Sequence, residues 1–284
     1  MKKKINVLIT GVDGLLGKKI RKYFIYRQAE VTGIDIKKNS ILEDINNINK
    51  IFRKNKKIDL IVNCASYCRI NKCISNPKQT FKDNIAGTFE VFEYARKNNI
   101  KKIITFSSSR VLSKEKNIYT TSKIFMEELA KSYKECYGID YIIIRPSTVF
   151  GLGDNYDRII PKFIKNALNN EDLKIYGDKN KTLDINDTGS FMKAFKLIID
   201  KGNWNETYNI SNNREIKVDM IAKFIINATD SKSKIKYSMQ ELAQPQKVKV
   251  DNSKIVSLGY KNDEIYLFKY LKKYCEMEKI KKQI

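Results

Sequence analysis

The sequence predicts an α/β protein, a doubly wound parallel sheet with a smaller C-terminal lobe. Three observations lead there. Through the first half, apolar runs alternate with amphipathic stretches, the pattern of a parallel sheet covered by helices. The first apolar run, Ile5 to Ile9, feeds directly into a glycine-spaced turn, Gly11-Val12-Asp13-Gly14-Leu15-Leu16-Gly17. Beyond Arg145 the alternation loosens, and Gly151, Gly153, Pro161, Gly177, Gly202 and Pro245 punctuate shorter elements. The expected division is residues 1–150 for the sheet domain, with a return segment near 184–205, and 151–284 for the lobe.

Each element of the first half has its own justification. A strand over 5–10 runs into the glycine turn, and a helix follows over 14–27. Gly11 allows the tight turn, Gly14 lets backbone approach a pyrophosphate, and Gly17 lets helix pack on strand. This points to a bound dinucleotide. The strand over 30–35 ends in Asp35, at the distance from Gly11 where a carboxylate accepts the adenosine ribose hydroxyls. A 2′-phosphate would be repelled there, so NAD is favoured over NADP, a preference softened by Lys37 and Lys38. After a helix over 46–55, the strand over 58–63 runs out into Cys64-Ala65-Ser66. Small side chains at that end leave room for a cofactor across the carboxyl ends of the strands. A helix over 77–98 leads to the strand over 101–106, which ends in the hydroxyl run Ser107-Ser108-Ser109. A helix over 120–137 and a strand over 140–145 complete the domain.

Composition removes several kinds of chemistry. The 284 residues include no His, so Ser-His and Cys-His nucleophilic catalysis are excluded and acid–base work falls to Tyr, Lys, Cys, Asp or Glu. The five cysteines, Cys64, Cys68, Cys73, Cys136 and Cys275, contain no CxxC pair, which argues against a zinc site or a disulfide framework. The formal net charge of +23 is spread as lysines along nearly every segment, the pattern of a solvated surface more than of one nucleic-acid-binding stripe. No apolar run approaches a membrane span, and the one after the basic Met1 to Lys4 is too short for a signal peptide, so a cytoplasmic protein is expected.

Tyr119 and Lys123 stand at i and i+4 on one face of a helix. An ammonium beside a phenol lowers the phenol pKa from about 10. Tyr119 can then take or return a sugar hydroxyl proton as hydride moves to or from nicotinamide, with Ser108 hydrogen-bonded to the same oxygen. The weight comes from order: glycine turn, acidic residue, serine run, then YxxxK on the next helix.

With these residues in that order the chain resembles the extended short-chain dehydrogenases/reductases, specifically the NAD-dependent epimerase/dehydratase group that modifies nucleotide sugars. The resemblance covers nearly the whole chain. It is carried by GVDGLLG at 11–17, Asp35, Asp44-Ile45, NCAS at 63–66, Asn84 with Gly87-Thr88, SSSRV at 107–111, Tyr119 with Lys123, and RPSTVFG at 145–151. In the second lobe IPKFIKNAL at 160–168, LKIYGD at 173–178, Ile185-Asn186-Asp187, YNIS at 208–211 and SLGY at 257–260 follow the family's order. The resemblance implies a Rossmann-type fold with Ser108, Tyr119 and Lys123 as catalytic residues. It implies NAD contacts from Gly11, Gly14, Leu15, Leu16, Gly17, Asp35, Asp44, Ile45, Cys64, Ala65, Ser66, Asn84, Ser107, Tyr119, Lys123 and Pro146. It implies substrate contacts from Ser109, Arg110, Thr148, Arg158 and Lys181, and a homodimer formed through the helices over 77–98 and 120–137.

Departures from the family pattern bear on the reaction. Ser109-Arg110 occupy the two positions where 4,6-dehydratases carry Asp-Glu, which disfavours dehydration. Only 11 positions separate Ser108 from Tyr119, a trimmed loop like that of certain 4-ketosugar reductases. The family's Arg-Asp pair before Ile185-Asn186-Asp187 is missing, with Lys181 as a replacement phosphate contact, and Thr148 stands where many relatives place a substrate-binding Asn. The expected activity is epimerisation at C4 of a nucleoside-diphosphate sugar through a 4-keto intermediate. The alternatives are an NAD(P)H-dependent 4-ketosugar reductase and a nucleic-acid-binding member of the fold, the last opposed by the intact Ser-Tyr-Lys set.

Overall fold

The computed structural model describes residues 4–36, 41–42, 48, 57–154, 157–261 and 263–283. The chain divides into two compact units, one of Met1–Val111, Lys116–Arg145 and Lys201–Tyr208, the other of Leu112–Glu115, Pro146–Asp200 and Asn209–Ile284. Among the described residues no helix is long and apolar enough to cross a membrane.

The first unit is built on β1 (Asn6–Thr10), β2 (Glu30–Asp35), β3 (Ile41–Leu42), β4 (Leu60–Asn63), β5 (Lys102–Phe106) and β6 (Asp140–Pro146). With the strand Glu206–Ile210, β11 in chain order, they form one sheet in the order β11-β6-β5-β4-β1-β2-β3. The pairs β1–β2, β2–β3, β1–β4, β4–β5 and β5–β6 are all parallel. Val7, Leu8 and Ile9, like Ile61 and Val62, are wholly buried, because helices cover both faces of such a sheet and the strands need no polar side. The chain works outward from β1 to β3, then restarts at β4 on the other flank of β1. That reversal makes the carboxyl ends of β1 and β4 the topological switch point, where open α/β sheets bind ligands.

The helices of this unit are α1 (Leu15–Tyr26), α2 (Ile70–Ser75), α3 (Pro77–Thr80), α4 (Gly87–Lys97) and α5 (Ile118–Tyr137). Val91 and Phe92 of α4 and Ala130 of α5 share one core cluster with Leu8, Ile61, Ile103 and Ile143 of the strands. The Asn117 side chain starts α5 by accepting the Thr120 N–H at 3.0 Å. Gly138, with φ +64°, ends it in the left-handed conformation. The single helix expected over 77–98 is interrupted by a π turn at Phe81–Ala86. Within this turn lies Asn84, a buried polar residue whose partners are described below. The helix expected over 46–55, the contact pair Asp44-Ile45, and Lys37 and Lys38 lie outside the described residues, Ile48 excepted.

The second unit pairs β7 (Thr148–Phe150) with β10 (Ile185–Asp187), β8 (Leu173–Tyr176) with β13 (Ile235–Ser238), and β9 (Thr182–Leu183) with β12 (Ile216–Lys217). Its helices are α6 (Ile159–Leu168), α7 (Thr188–Lys201), α8 (Val218–Ala228), α9 (Ser253–Ser257) and α10 (Glu264–Gln283). Phe163, Ile164, Ile175, Ile221, Leu271 and Tyr274 belong to its separate core. The return to the first unit is shorter than the expected 184–205, being confined to Lys201–Tyr208. The reason is pairing: Ile185, Asn186 and Asp187 register with Thr148, Val149 and Phe150, and β11 alone extends the main sheet.

Asp184 gives this second unit a pH dependence. It is wholly buried, and its carboxylate accepts the backbone N–H groups of Asn212 at 3.0 Å and Arg214 at 3.3 Å. Burial nonetheless pushes its carboxyl up to about 6. The unfolded chain titrates near 3.9 at this position, so the folded chain holds the proton more tightly. The contribution to stability is full below that value and is lost as pH rises through about 6. Asp184→Asn is expected to remove roughly 2–3 kcal/mol of pH dependence across this window, measured by urea unfolding at a series of pH values.

Candidate active site

Two glycines of the turn, Gly11 and Gly17, leave no room for a side chain. Gly11 has φ +65°, and a Cβ there would stand 2.7 Å from the Ala65 backbone nitrogen. At Gly17 a Cβ would meet the Gly11 carbonyl oxygen at 2.1 Å. The Gly14 N–H closes the turn on the Gly11 carbonyl at 3.1 Å, and α1 begins at Leu15 without a side-chain cap or an acidic residue in its first turn. The leading amides of α1, those of Leu15 and Leu16 among them, are therefore turned to whatever lies beyond the helix end, an arrangement suited to a phosphate. Asp35 is held beside them by the Asp13 N–H, which donates to Oδ2 at 2.8 Å. A cradle of close backbone, open helix amides and a fixed carboxylate fits a dinucleotide diphosphate and its ribose. Gly11→Ala combines a strained φ with a backbone clash, and it is expected to destabilise the fold by at least ~2 kcal/mol. NAD titration should show weakened binding of whatever fraction folds.

A polar ladder that the sequence reading missed runs across the switch point. Thr10 Oγ1 donates to Asn63 Oδ1 at 2.7 Å, Asn63 Nδ2 to Thr105 Oγ1 at 3.4 Å, and the Ala65 N–H to Thr10 Oγ1 at 3.2 Å. The ladder ties the ends of β1, β4 and β5 together and steers the small-residue segment Cys64-Ala65-Ser66. Its signal in the sequence was weak, a single polar residue at or near the end of each strand.

Asn84 turns out to be a structural joint. Its Oδ1 accepts Ser66 Oγ at 3.0 Å and the Tyr67 N–H at 2.7 Å, while its Nδ2 donates to the Tyr67 carbonyl at 3.0 Å and to Ser122 Oγ at 3.1 Å. Ser122 in turn donates to the Tyr119 carbonyl at 2.7 Å. One amide thus fastens the segment after β4 to the first turns of α5, with the π turn supplying the needed depth.

Ser108, Tyr119 and Lys123 all lie in the first unit, and all are buried. Ser107 and Ser108 follow directly on β5. The Ser107 N–H donates to the Ile144 carbonyl at 2.8 Å, and the Ser107 hydroxyl is buried without a hydrogen-bond partner among the described residues, a group suited to a ligand. Ser109–Leu112 form a 3₁₀ turn, with the Arg110 N–H donating to Ser108 Oγ at 3.2 Å. The Lys123 ammonium donates to the Phe106 carbonyl at 2.8 Å and lies 6.0 Å from the centre of the Tyr119 ring. Burial lowers the Lys123 pKa to about 8, against the opposing influence of nearby Cys68, Cys73, Cys64 and Glu127. The ammonium is thereby poised to influence a phenol one turn away.

The remaining predicted contacts belong to the second unit, each in its own setting. Pro146 ends β6. Thr148 opens β7, its N–H donating to the Asp184 carbonyl at 3.0 Å. Arg158 precedes α6 and stands 3.6 Å from Asp154. Lys181 is buried, donates to the Tyr176 carbonyl and lies 3.9 Å from Glu241, so its ammonium is engaged within its own lobe.

A parallel doubly wound sheet, a glycine cradle at its switch point and a Ser-Tyr-Lys set beside it define an NAD-dependent enzyme of the extended short-chain dehydrogenase type. The family model described as "NAD dependent epimerase/dehydratase family" matches residues 7–211, and the chain belongs to that family. Among curated relatives, the dTDP-D-glucose 4,6-dehydratase of Dictyostelium discoideum is 27% identical over 78% of this chain and 61% of its own. The solved UDP-N-acetylglucosamine 4-epimerase of Methanobrevibacter ruminantium M1, in complex with UDP-N-acetylmuramic acid, superposes with a TM-score of 0.86 at 25% identity, covering 99% of this chain and 100% of that one. The UDP-glucose 4-epimerase of Thermotoga maritima with UDP-glucose gives 0.87 at 20% identity over 98% and 99% of the two chains, a likeness of fold.

Proposed function

We propose that the protein is a nucleotide-sugar 4-epimerase, which oxidises C4 of a nucleoside-diphosphate sugar and re-reduces the 4-keto sugar from its other face. The observation that supports this most is the buried Lys123 ammonium, 6.0 Å from the Tyr119 ring centre, in the same unit as the glycine cradle. Bound NAD would supply the hydride acceptor and donor for C4, with none consumed overall. Gly11, Gly14, Gly17 and the first amides of α1 would hold its diphosphate, and Asp35 its adenosine ribose. Tyr119 accepts the C4 hydroxyl proton and later returns it, and the Lys123 ammonium favours the phenolate that this requires. Ser108 hydrogen-bonds to the same sugar oxygen. After Ser108 come Ser109 and Arg110, so the carboxylate pair that the resemblance assigns to dehydratases is absent and the chemistry stops at C4. Uridine diphosphate sugars are the first class to try, given the ligands of the two epimerase structures. The reading includes a cytoplasmic homodimer, with exposed Phe81 and Phe89 supporting an interface along residues 77–98.

The test is incubation of purified protein with UDP-glucose and UDP-N-acetylglucosamine without added cofactor, C4 epimers being resolved by NMR. Interconversion without net change in NADH absorbance is expected. A strict need for NADH or NADPH and a 4-keto sugar replaces this reading with a reductase, which the short segment between Ser108 and Tyr119 favours.

A further inference from the structure

The helix that carries Tyr119 and Lys123 bears another charged group one turn further on. Glu127 is 4% exposed and is gripped by a two-pronged Arg145 of β6, Nε to Oε1 at 2.8 Å and Nη2 to Oε2 at 2.5 Å. Lys123 precedes Glu127 by four residues on the same helix face. A buried ammonium with a carboxylate one turn away has a strong electrostatic reason to turn to it. Here the ammonium instead donates to the Phe106 carbonyl. Arg145 accounts for the difference, because its planar fork occupies both carboxylate oxygens. Strand register brings it within reach: Phe106 pairs with Ile144, and Arg145 is the next residue along β6.

We propose that Arg145 is a positioning residue, which sequesters Glu127 so that the Lys123 ammonium stays on the Phe106 carbonyl and beside the Tyr119 phenol. The proposal rests on the reading of Tyr119 as the acid–base group. The other groups acting on Lys123 are the thiols of Cys64 after β4, of Cys68, and of Cys73 in α2. Burial raises the Cys64 and Cys73 thiols and keeps them neutral, and Asp83 of the π turn acts on Cys73. Glu127, ion-paired with Arg145, is the carboxylate among the groups acting on Lys123 and supplies the competing negative charge.

The Tyr119 titration tests this, read as the ultraviolet difference between each variant and the same variant carrying Tyr119→Phe. Arg145→Met frees Glu127 to draw Lys123 away, so the phenol midpoint should rise by about one pH unit and kcat fall ~10–100-fold, with KM for the sugar little changed. Removing both charges, in Arg145→Met with Glu127→Gln, should restore the midpoint and bring kcat to within ~5-fold of wild type, the non-additivity expected of coupled residues. Glu127→Gln alone leaves the guanidinium unbalanced and should move the midpoint down. A pair that only braces the fold would destabilise the variants without moving the titration. An unmoved midpoint in Arg145→Met, or a double variant as displaced as the single one, overturns the proposal. Should Arg145→Met not fold, Glu127→Gln decides by the direction of its shift, no downward shift being the overturning result. If wild-type protein turns over no nucleotide sugar, the proposed function fails while the titration still decides the role of Arg145.

Discussion

Tyr119→Phe is expected to lower turnover of a nucleotide sugar by about 10²–10⁴-fold, the usual contribution of a positioned acid–base group. The change removes one oxygen and nothing else. The ring keeps its buried place at the start of α5, where Asn117 caps the helix and Ser122 holds the Tyr119 carbonyl. Lys123 keeps its bond to the Phe106 carbonyl, which does not involve the phenol. NAD affinity and the thermal unfolding midpoint should therefore stay near those of wild type. The measurement is a pair: initial rates of C4 epimer formation, and NAD titration of the same sample. Near-normal rates in this variant would sink the mechanism, whereas loss of both activity and NAD binding would point to a collapsed site.

Lys123→Met should abolish turnover yet make the protein more stable at neutral pH. Burial lowers the lysine's folded pKa to about 8, against about 10.4 for an unfolded chain. The folded state thus binds the proton less well than the unfolded one, and the penalty for burying the ammonium is complete below the folded pKa. As pH rises from about 8, the wild type sheds that proton and regains the lost stability. A methionine of similar length carries no such cost but leaves the Phe106 carbonyl without the ammonium's hydrogen bond. The net gain at pH 7 should be ~1–3 kcal/mol, shrinking between pH 8 and pH 10. Urea unfolding of the two proteins across that range reads the difference directly. A variant less stable than wild type at pH 7 would show that the ammonium is better solvated in the folded protein than its burial implies. Stability given up at a working residue is a common trade in enzymes.

How much of this was readable beforehand differs from residue to residue. The strands over 58–63 and 140–145 stand out because both sheet faces are covered there, so apolar runs are continuous and bounded by polar residues. Gly11 with Gly14 and Gly17, and Tyr119 with Lys123, are legible because their spacing is set by local geometry, a turn or one helical repeat, while Asp35 and Ser108 are legible because each stands at or just after the end of a strand. Asn84 is legible as a candidate cofactor contact, while its four bonds to Ser66, Tyr67 and Ser122, which join segments far apart in sequence, are not. The π turn that accommodates it had no signature in the apolar periodicity. Lys181, a candidate phosphate contact, donates to the Tyr176 carbonyl and lies close to Glu241, partners that no spacing rule ties to it.

The glycine turn, the acidic strand end, the serine run and the YxxxK helix are properties of contiguous chain, and by itself the sequence determined them, with the fold class and the dinucleotide that follow. What only the tertiary structure decided is how charges and hydroxyls from separate strands share the interior. The Thr10–Asn63–Thr105 ladder and the Arg145 fork on Glu127 arise from strand order and register, which bring distant polar groups together away from water, where each must find a partner.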